Sequence, residues 1–293
     1  VRRQPGDDAV IRILDEVREA DAVVAIETTI VAHGFPPEEG VSVGLESERR
    51  VRAAGAVPAP IGVLDGEIRV GLTASELERF DASARKAGPR ELGVCVARGE
   101  TGATTVGGTL AVCRAAGIRF MGTGGIGGVH RGTRFDISAD LLELSRSQVV
   151  VVSSGVKSLL DVEATAEMLE TLGVPVLGWR TDTMPRFYDA NGGPPVTDRI
   201  ESPEEAVTLA RLHWDLGGCG VLVARPPDTS IDVDDLIDEA LEEAEREGIG
   251  GQAVTPFVLS RLHERSDGRT LQVNKELAAA NAGLAGELAV GAA

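Results

Sequence analysis

Short apolar runs rich in valine and isoleucine alternate with longer stretches of helical periodicity along nearly the whole chain. This alternation constrains the fold more than any other feature, because strands without a polar face must be covered on both sides. Runs at residues 22–26, 59–64, 67–70, 92–97, 118–121, 148–152, 174–177 and 220–224 predict strands. Asp65-Gly66 joins the second and third of these as a hairpin turn. Helical periodicity predicts helices over 8–19, 41–54, 103–116, 138–144, 156–172, 203–215, 233–246, 256–265 and 271–288. Residues 33–40 and 181–198 read as loops. The expected fold class is α/β, an α/β/α sandwich around a largely parallel sheet, with residues 1–293 forming one domain.

Composition removes several function classes. Lys and Arg number 29 against 46 Asp and Glu, a net charge of −17, so no basic field attracts a nucleic-acid polymer. No apolar run reaches the roughly 18 residues of a membrane span. Residues 1–8 lack the apolar core of a secretory leader. Cys95, Cys113 and Cys219 form no CxxC pair and sit among apolar neighbours, which predicts buried free thiols and a cytoplasmic location. The acidic run at 232–247 places Val233, Leu236, Ile237, Ala240, Leu241 and Ala244 at helical spacing, so its carboxylates form a solvated face.

Four segments carry candidate chemistry. Gly122-Thr123-Gly124-Gly125-Ile126-Gly127 matches GxGxxG, but no helix opens at its glycines, which argues against a dinucleotide site. With His130 and Arg131 at its end, it reads as a loop for a small anion or a sugar, or as a tight turn alone. Asp136 and Asp140 flank Ser138; they serve a helix N-terminus or supply oxygen ligands for Mg²⁺ or Mn²⁺. Lys157 follows four consecutive valines and is placed in a helix's first turn, which would depress its pKa. It reads equally as a Schiff-base lysine or as a surface lysine paired with Asp161. Glu27 ends a strand between Ile26 and apolar Ile30, as a general acid of raised pKa or a carboxylate meeting solvent.

Together these segments resemble the pseudouridine-5′-phosphate glycosidases. The resemblance covers nearly the whole chain. It runs through Glu27-Thr28-Thr29-Ile30, Gly55-Ala56-Val57-Pro58-Ala59, Gly102-Ala103-Thr104-Thr105-Val106 and Gly124-Gly125-Ile126-Gly127-Gly128-Val129-His130-Arg131-Gly132. It continues through Phe135-Asp136-Ile137-Ser138-Ala139-Asp140, Lys157-Ser158, Gly173-Val174-Pro175 and Thr255-Pro256-Phe257. The resemblance implies reversible cleavage of the C–C glycosidic bond of pseudouridine 5′-phosphate to uracil and ribose 5-phosphate. It implies Lys157 as nucleophile, Glu27 as proton donor, and Asp136 as ligand of one Mn²⁺ per subunit. Lys86, Val106, Ser138, Ala139 and Asp140 match substrate contacts, and His130 and Asn281 match further active-site positions. Asp140 would also shuttle protons near Lys157. A homotrimer is the implied assembly. After Lys86 the run Ala87-Gly88-Pro89-Arg90-Glu91-Leu92 departs from the family's usual Ser-Arg-Arg-Asp-Leu. Two other readings remain: an aldolase-like Schiff-base phosphosugar lyase, and a non-catalytic phosphosugar- or nucleotide-binding module.

Overall fold

The structure, a computed structural model, describes residues 10–132, 135–250 and 253–293. The leader expectation, resting on residues 1–8, lies outside the described residues. The chain opens with β1 (Ile11–Ile13), α1 (Asp15–Glu19), β2 (Val23–Glu27), α2 (Thr29–His33) and α3 (Pro37–Ala53). Next come β3 (Val57–Leu64), β4 (Glu67–Val70), α4 (Ala74–Leu77), β5 (Arg85–Ala87), α5 (Pro89–Arg98), β6 (Gly102–Thr104) and α6 (Val106–Ala116). The middle holds β7 (Phe120–Gly122), β8 (Val129–His130), α7 (Ala139–Leu144), β9 (Val150–Ser153), β10 (Leu160–Asp161) and α8 (Val162–Thr171). The last part runs β11 (Val176–Trp179), β12 (Asp198–Ile200), α9 (Pro203–Asp215), β13 (Val221–Ala224), α10 (Asp234–Arg246), α11 (Val254–Arg265) and α12 (Arg269–Ala292).

The main sheet follows the order β1-β4-β3-β2-β7-β9-β13-β11-β12. From β3 to β12 every neighbouring pair is parallel. Only the β3 end turns back, where β4 pairs antiparallel as a hairpin through Asp65-Gly66. The β-branched run at the centre shows why helices must cover both faces. Val150 and Val152 pack on one side with Val24, Ile26, Ala282 and Leu288. Val149 and Val151 pack on the other with Met121, Leu110, Leu141 and Leu222. The α/β class and the largely parallel sheet are therefore as expected.

Several elements differ from the sequence expectation. Residues 11–13 form an edge strand on β4, not the start of a helix, because β4 would otherwise leave unpaired backbone groups. Residues 89–98 are α5, not a strand. Pro89 opens it, Glu91 accepts the Gly88 N–H, and Gly99 closes it in the left-handed conformation. The helix expected from 156 begins only at Val162, capped by the Asp161 carboxylate. Residues 33–40 contribute the end of α2 and the start of α3, and the loop expected over 181–198 ends where β12 begins. Cys95 and Cys113 are buried free thiols as expected, with Cys113 pushed up to about 12 by burial, whereas Cys219 is only half-buried.

Candidate functional site

The site lies at the C-terminal edge of the parallel strands, where open α/β sheets hold their ligands. Glu27 closes β2 and is 4% exposed. The next residue, Thr28, donates its hydroxyl to the Ile61 carbonyl and accepts the Thr104 N–H. Thr29 donates to the Thr104 carbonyl at 2.6 Å. These buried bonds lock the end of β2 against β6. β5 pairs with β6, which delivers Lys86 to the same edge.

The loops after β7 and β9 are joined by backbone hydrogen bonds. Thr123 N donates to Val152 O, Ser154 N to Gly124 O, Ile126 N to Gly155 O, and Lys157 N to Ile126 O. Lys157 is thereby held on an extended segment facing Glu27. It lies before α8 and not in the helix's first turn as expected, so it has no helical i,i+4 pairing with Asp161. Thr123 donates its hydroxyl to Glu27 at 2.5 Å. Burial raises the Glu27 pKa against the opposing pull of Lys157 and the Thr123 bond. Burial, and then the neighbouring Lys157 charge, lower the Lys86 pKa.

Asp140 is buried, and its two oxygens accept the N–H groups of Gly107 at 2.7 Å and Gly127 at 2.8 Å. Gly127 must be glycine: a Cβ there would collide with the Ser138 hydroxyl and come within 2.8 Å of Asp140 Oδ2. Ser138 caps α7 by accepting the Asp140 N–H, and Thr105 caps α6 just before Val106. Two helix N-termini thus open beside Lys86, an arrangement suited to an anion. His130 and Asp136 stand at the mouth, with Nδ1 and Oδ2 3.8 Å apart.

Two cavities meet at Glu27, Thr29, Lys86 and Lys157. The polar one, about 430 Å³, is also lined by Arg90, Val106, His130, Asp136, Ser138, Ala139 and Asp140. The other is narrower and largely apolar, walled by Ile30, Phe35, Leu159, Phe187 and Leu259. Apart from Asn281, every residue singled out from the sequence as catalytic, substrate-contacting or metal-ligating lines the polar cavity. Asn281, on α12, is fully buried and lines neither. Its amide donates to the Thr123 and Gly124 carbonyls and to the Ser154 hydroxyl, so it braces the glycine loop from behind. Sequence reasoning passed over His33, Phe187 and Asn274, which line the narrow cavity. His33 Nε2 lies 3.0 Å from the Ala84 carbonyl, and burial lowers its pKa. Phe187 adopts a positive φ of 62°.

Of the two aspartates flanking Ser138, Asp136 is the one available to an oxygen-ligated cation. Asp136 is half-exposed, and both Asp140 oxygens are already engaged. Among the described residues no group of three or more His, Cys, Asp or Glu converges. This donor set fits a hydrated divalent ion held through water, not a caged one.

Two amines, a buried acid and an anion cradle at one strand edge are the equipment of an enzyme for carbonyl chemistry on a phosphorylated substrate. The family model described as indigoidine synthase A like protein matches residues 12–291, and the chain belongs to this family. Among curated relatives, the pseudouridine-5′-phosphate glycosidase of Petrotoga mobilis is 42% identical over 287 residues, covering 94% of each chain. That of Herpetosiphon aurantiacus is 44% identical over 278 residues, covering 92% of each. Among solved structures, the indigoidine synthase A-like protein of Thermotoga maritima superposes with a TM-score of 0.88 at 39% identity, covering 98% of this chain and 99% of that one. The prealnumycin C-glycosynthase AlnA, in complex with ribulose 5-phosphate, gives 0.88 at 38% identity and 97% coverage of both.

Proposed function

We propose that this protein reversibly cleaves the C–C glycosidic bond of pseudouridine 5′-phosphate, giving uracil and ribose 5-phosphate through an imine on Lys157. The observation that carries this reading is the meeting of Glu27, Lys86 and Lys157 where a polar, anion-suited cavity joins an apolar one. The phosphosugar occupies the first, its phosphate near Lys86 and the N-termini of α6 and α7. The base occupies the second, so C1′ lies at the junction. The Lys157 amine forms a bond to C1′ as the C1′–O4′ bond breaks, and O4′ takes up a proton. The nitrogen lone pair then forms C1′=N while the C1′–C5 pair leaves with uracil, whose C5 is protonated. Water hydrolyses the iminium to ribose 5-phosphate and restores the amine. Burial keeps Glu27 protonated to higher pH than an ordinary carboxylate, so it is the donor for these transfers. A carboxylate pair of the usual glycosidase kind would lack a leaving-group oxygen to protonate.

Asp136 would hold the Mn²⁺, one per subunit, and the ion would supply positive charge beside the phosphate. A homotrimer in the cytosol completes the proposal. Bare apolar surface supports the assembly, with Phe135 and Leu216 exposed at 91% and 89%, and the free thiols support a reducing compartment. No described helix is long and apolar enough to cross a membrane. The test is incubation with pseudouridine 5′-phosphate and Mn²⁺. Uracil and ribose 5-phosphate are the expected products, and chelator should suppress them until Mn²⁺ is returned. Cleavage of a sugar chain without release of base, or binding without turnover, would overturn this reading.

A further inference from the structure

Lys86, the amine placed near the phosphate, is not held at its own tip. Among the described residues its ammonium makes no hydrogen bond and no ion pair. Its place in the cleft is therefore set by its backbone, the middle of the three-residue strand β5. Among the described strands β5 pairs only with β6, which sets Lys86 opposite Ala103. A short strand fastened along one edge is a loose mount for a group that must meet a phosphate.

The second fastening comes from α2. At its first residue, Thr29 donates its hydroxyl to the Thr104 carbonyl and lies 3.2 Å from that of Ala103, so this end is tied to β6. At its last residue, His33 Nε2 lies 3.0 Å from the carbonyl oxygen of Ala84, immediately before β5. A carbonyl can only accept, so Nε2 carries the proton. Burial lowers the His33 pKa, which favours the neutral ring with its one proton on that nitrogen. Among the described residues this is the only side-chain hydrogen bond made to the backbone of residues 84–86. Ala84 is buried with Val31, Ala32, Leu77 and Phe80, so the bond acts in a packed surround. We propose that His33 is the positioning residue for Lys86: its Nε2–H fixes the entry of β5, and so the depth at which the Lys86 ammonium meets the substrate phosphate. This inference rests on the activity and the phosphate placement proposed above.

The experiment uses the synthesis direction, in which uracil and ribose 5-phosphate are independent substrates. His33→Phe keeps a ring in the wall of the narrow cavity and removes the donor. Its KM for ribose 5-phosphate should rise about 10-fold, with KM for uracil little changed. His33→Gln, whose amide N–H can reach the same carbonyl, should restore most of the wild-type value. The decisive arm is a double-mutant cycle with Lys86→Met, read as the ribose 5-phosphate concentration that half-saturates borohydride trapping on Lys157. His33→Phe should raise that concentration in the wild-type background and add nothing to it in Lys86→Met, because His33 acts through Lys86. An unchanged KM for ribose 5-phosphate would overturn the role of His33 while leaving the activity standing. So would equal rises in both KM values, or a full additional rise in the Lys86→Met background. Absence of synthesis and of the lysine adduct in the wild-type enzyme would overturn the activity, and this inference with it.

Discussion

At the scale of single residues, the site separates a buried acid from two amines of different surroundings. The folded-state pKa of Glu27 is raised chiefly by burial, so its proton persists above the ordinary carboxylate range and is lost as pH rises through the raised value. Glu27→Gln keeps the shape without a transferable proton. Its turnover should fall by about 10²–10⁴-fold with substrate binding retained, and the alkaline limb of the rate profile that Glu27 governs should vanish. An unchanged profile would return Glu27 to a buried structural carboxyl bonded to Thr123. For Lys157 the measurement is covalent. Ribose 5-phosphate and borohydride should leave a phosphosugar on the peptide containing Lys157 and not on that containing Lys86. Lys157→Ala should lose both this adduct and cleavage, and Lys157→Arg should fail as well, because a guanidinium stays protonated. Normal cleavage by a folded Lys157→Ala variant would sink the covalent mechanism. The structure makes Lys86 the necessary control, since it shares the cleft and its own pKa is lowered.

At the scale of elements, the sequence was legible where local and tertiary preferences agree. The helix over 203–215 matches α9 at both ends, with Ser202 as cap and Pro203 at its first position. It misled where an apolar run could serve either period. Leu92 to Ala97 look like a strand, yet Leu92 and Cys95 lie one turn apart on the buried side of α5, and its start and stop signals decide the matter. The segment before α8 misled for a different reason. Its conformation is imposed by the neighbouring glycine loop, which no local propensity encodes. Gly155 shows how tightly: its φ is +74°, its carbonyl accepts the Ile126 N–H, and a Cβ would run into the Pro185 carbonyl. Gly155→Ala should therefore destabilise the protein by more than about 1 kcal/mol in denaturant titration, and lower turnover by shifting Lys157 two residues on. An unfolding midpoint equal to that of wild type would show that the loop has room to adapt.

At the scale of the whole molecule, the two ends of the sheet have different characters. A cleft of about 530 Å³ opens at the N-terminal edge beside Val17, Phe120 and Trp214, larger than the polar cavity at the opposite edge. None of the amines and acids of the proposed site reaches it, so size and chemistry point to opposite ends of the sheet. Parallel topology agrees with the chemistry, because successive crossovers bring the loops after β2, β7 and β9 to the same edge. Sequence motifs located that edge through residues whose type the chemistry demands. They missed Asn274, His33 and Phe187, whose significance lies only in which cavity the fold turns them toward. The bare apolar surface is likewise visible only in three dimensions. Phe135 is exposed beside Asp136 at the mouth of the site, with Ile137 partly exposed on the same loop and Leu142 on the following helix. Burying one such Phe contributes about 1.5–3 kcal/mol, so two or three of them on a face can hold an interface together. Sedimentation equilibrium should give three times the chain mass. Phe135→Asp should shift the distribution toward smaller species, and by disturbing the loop that carries Asp136 it should lower turnover in the same preparation. A wild-type protein that sediments at one chain mass at micromolar concentration would refute the trimer and leave Phe135 as a solvent-exposed loop residue.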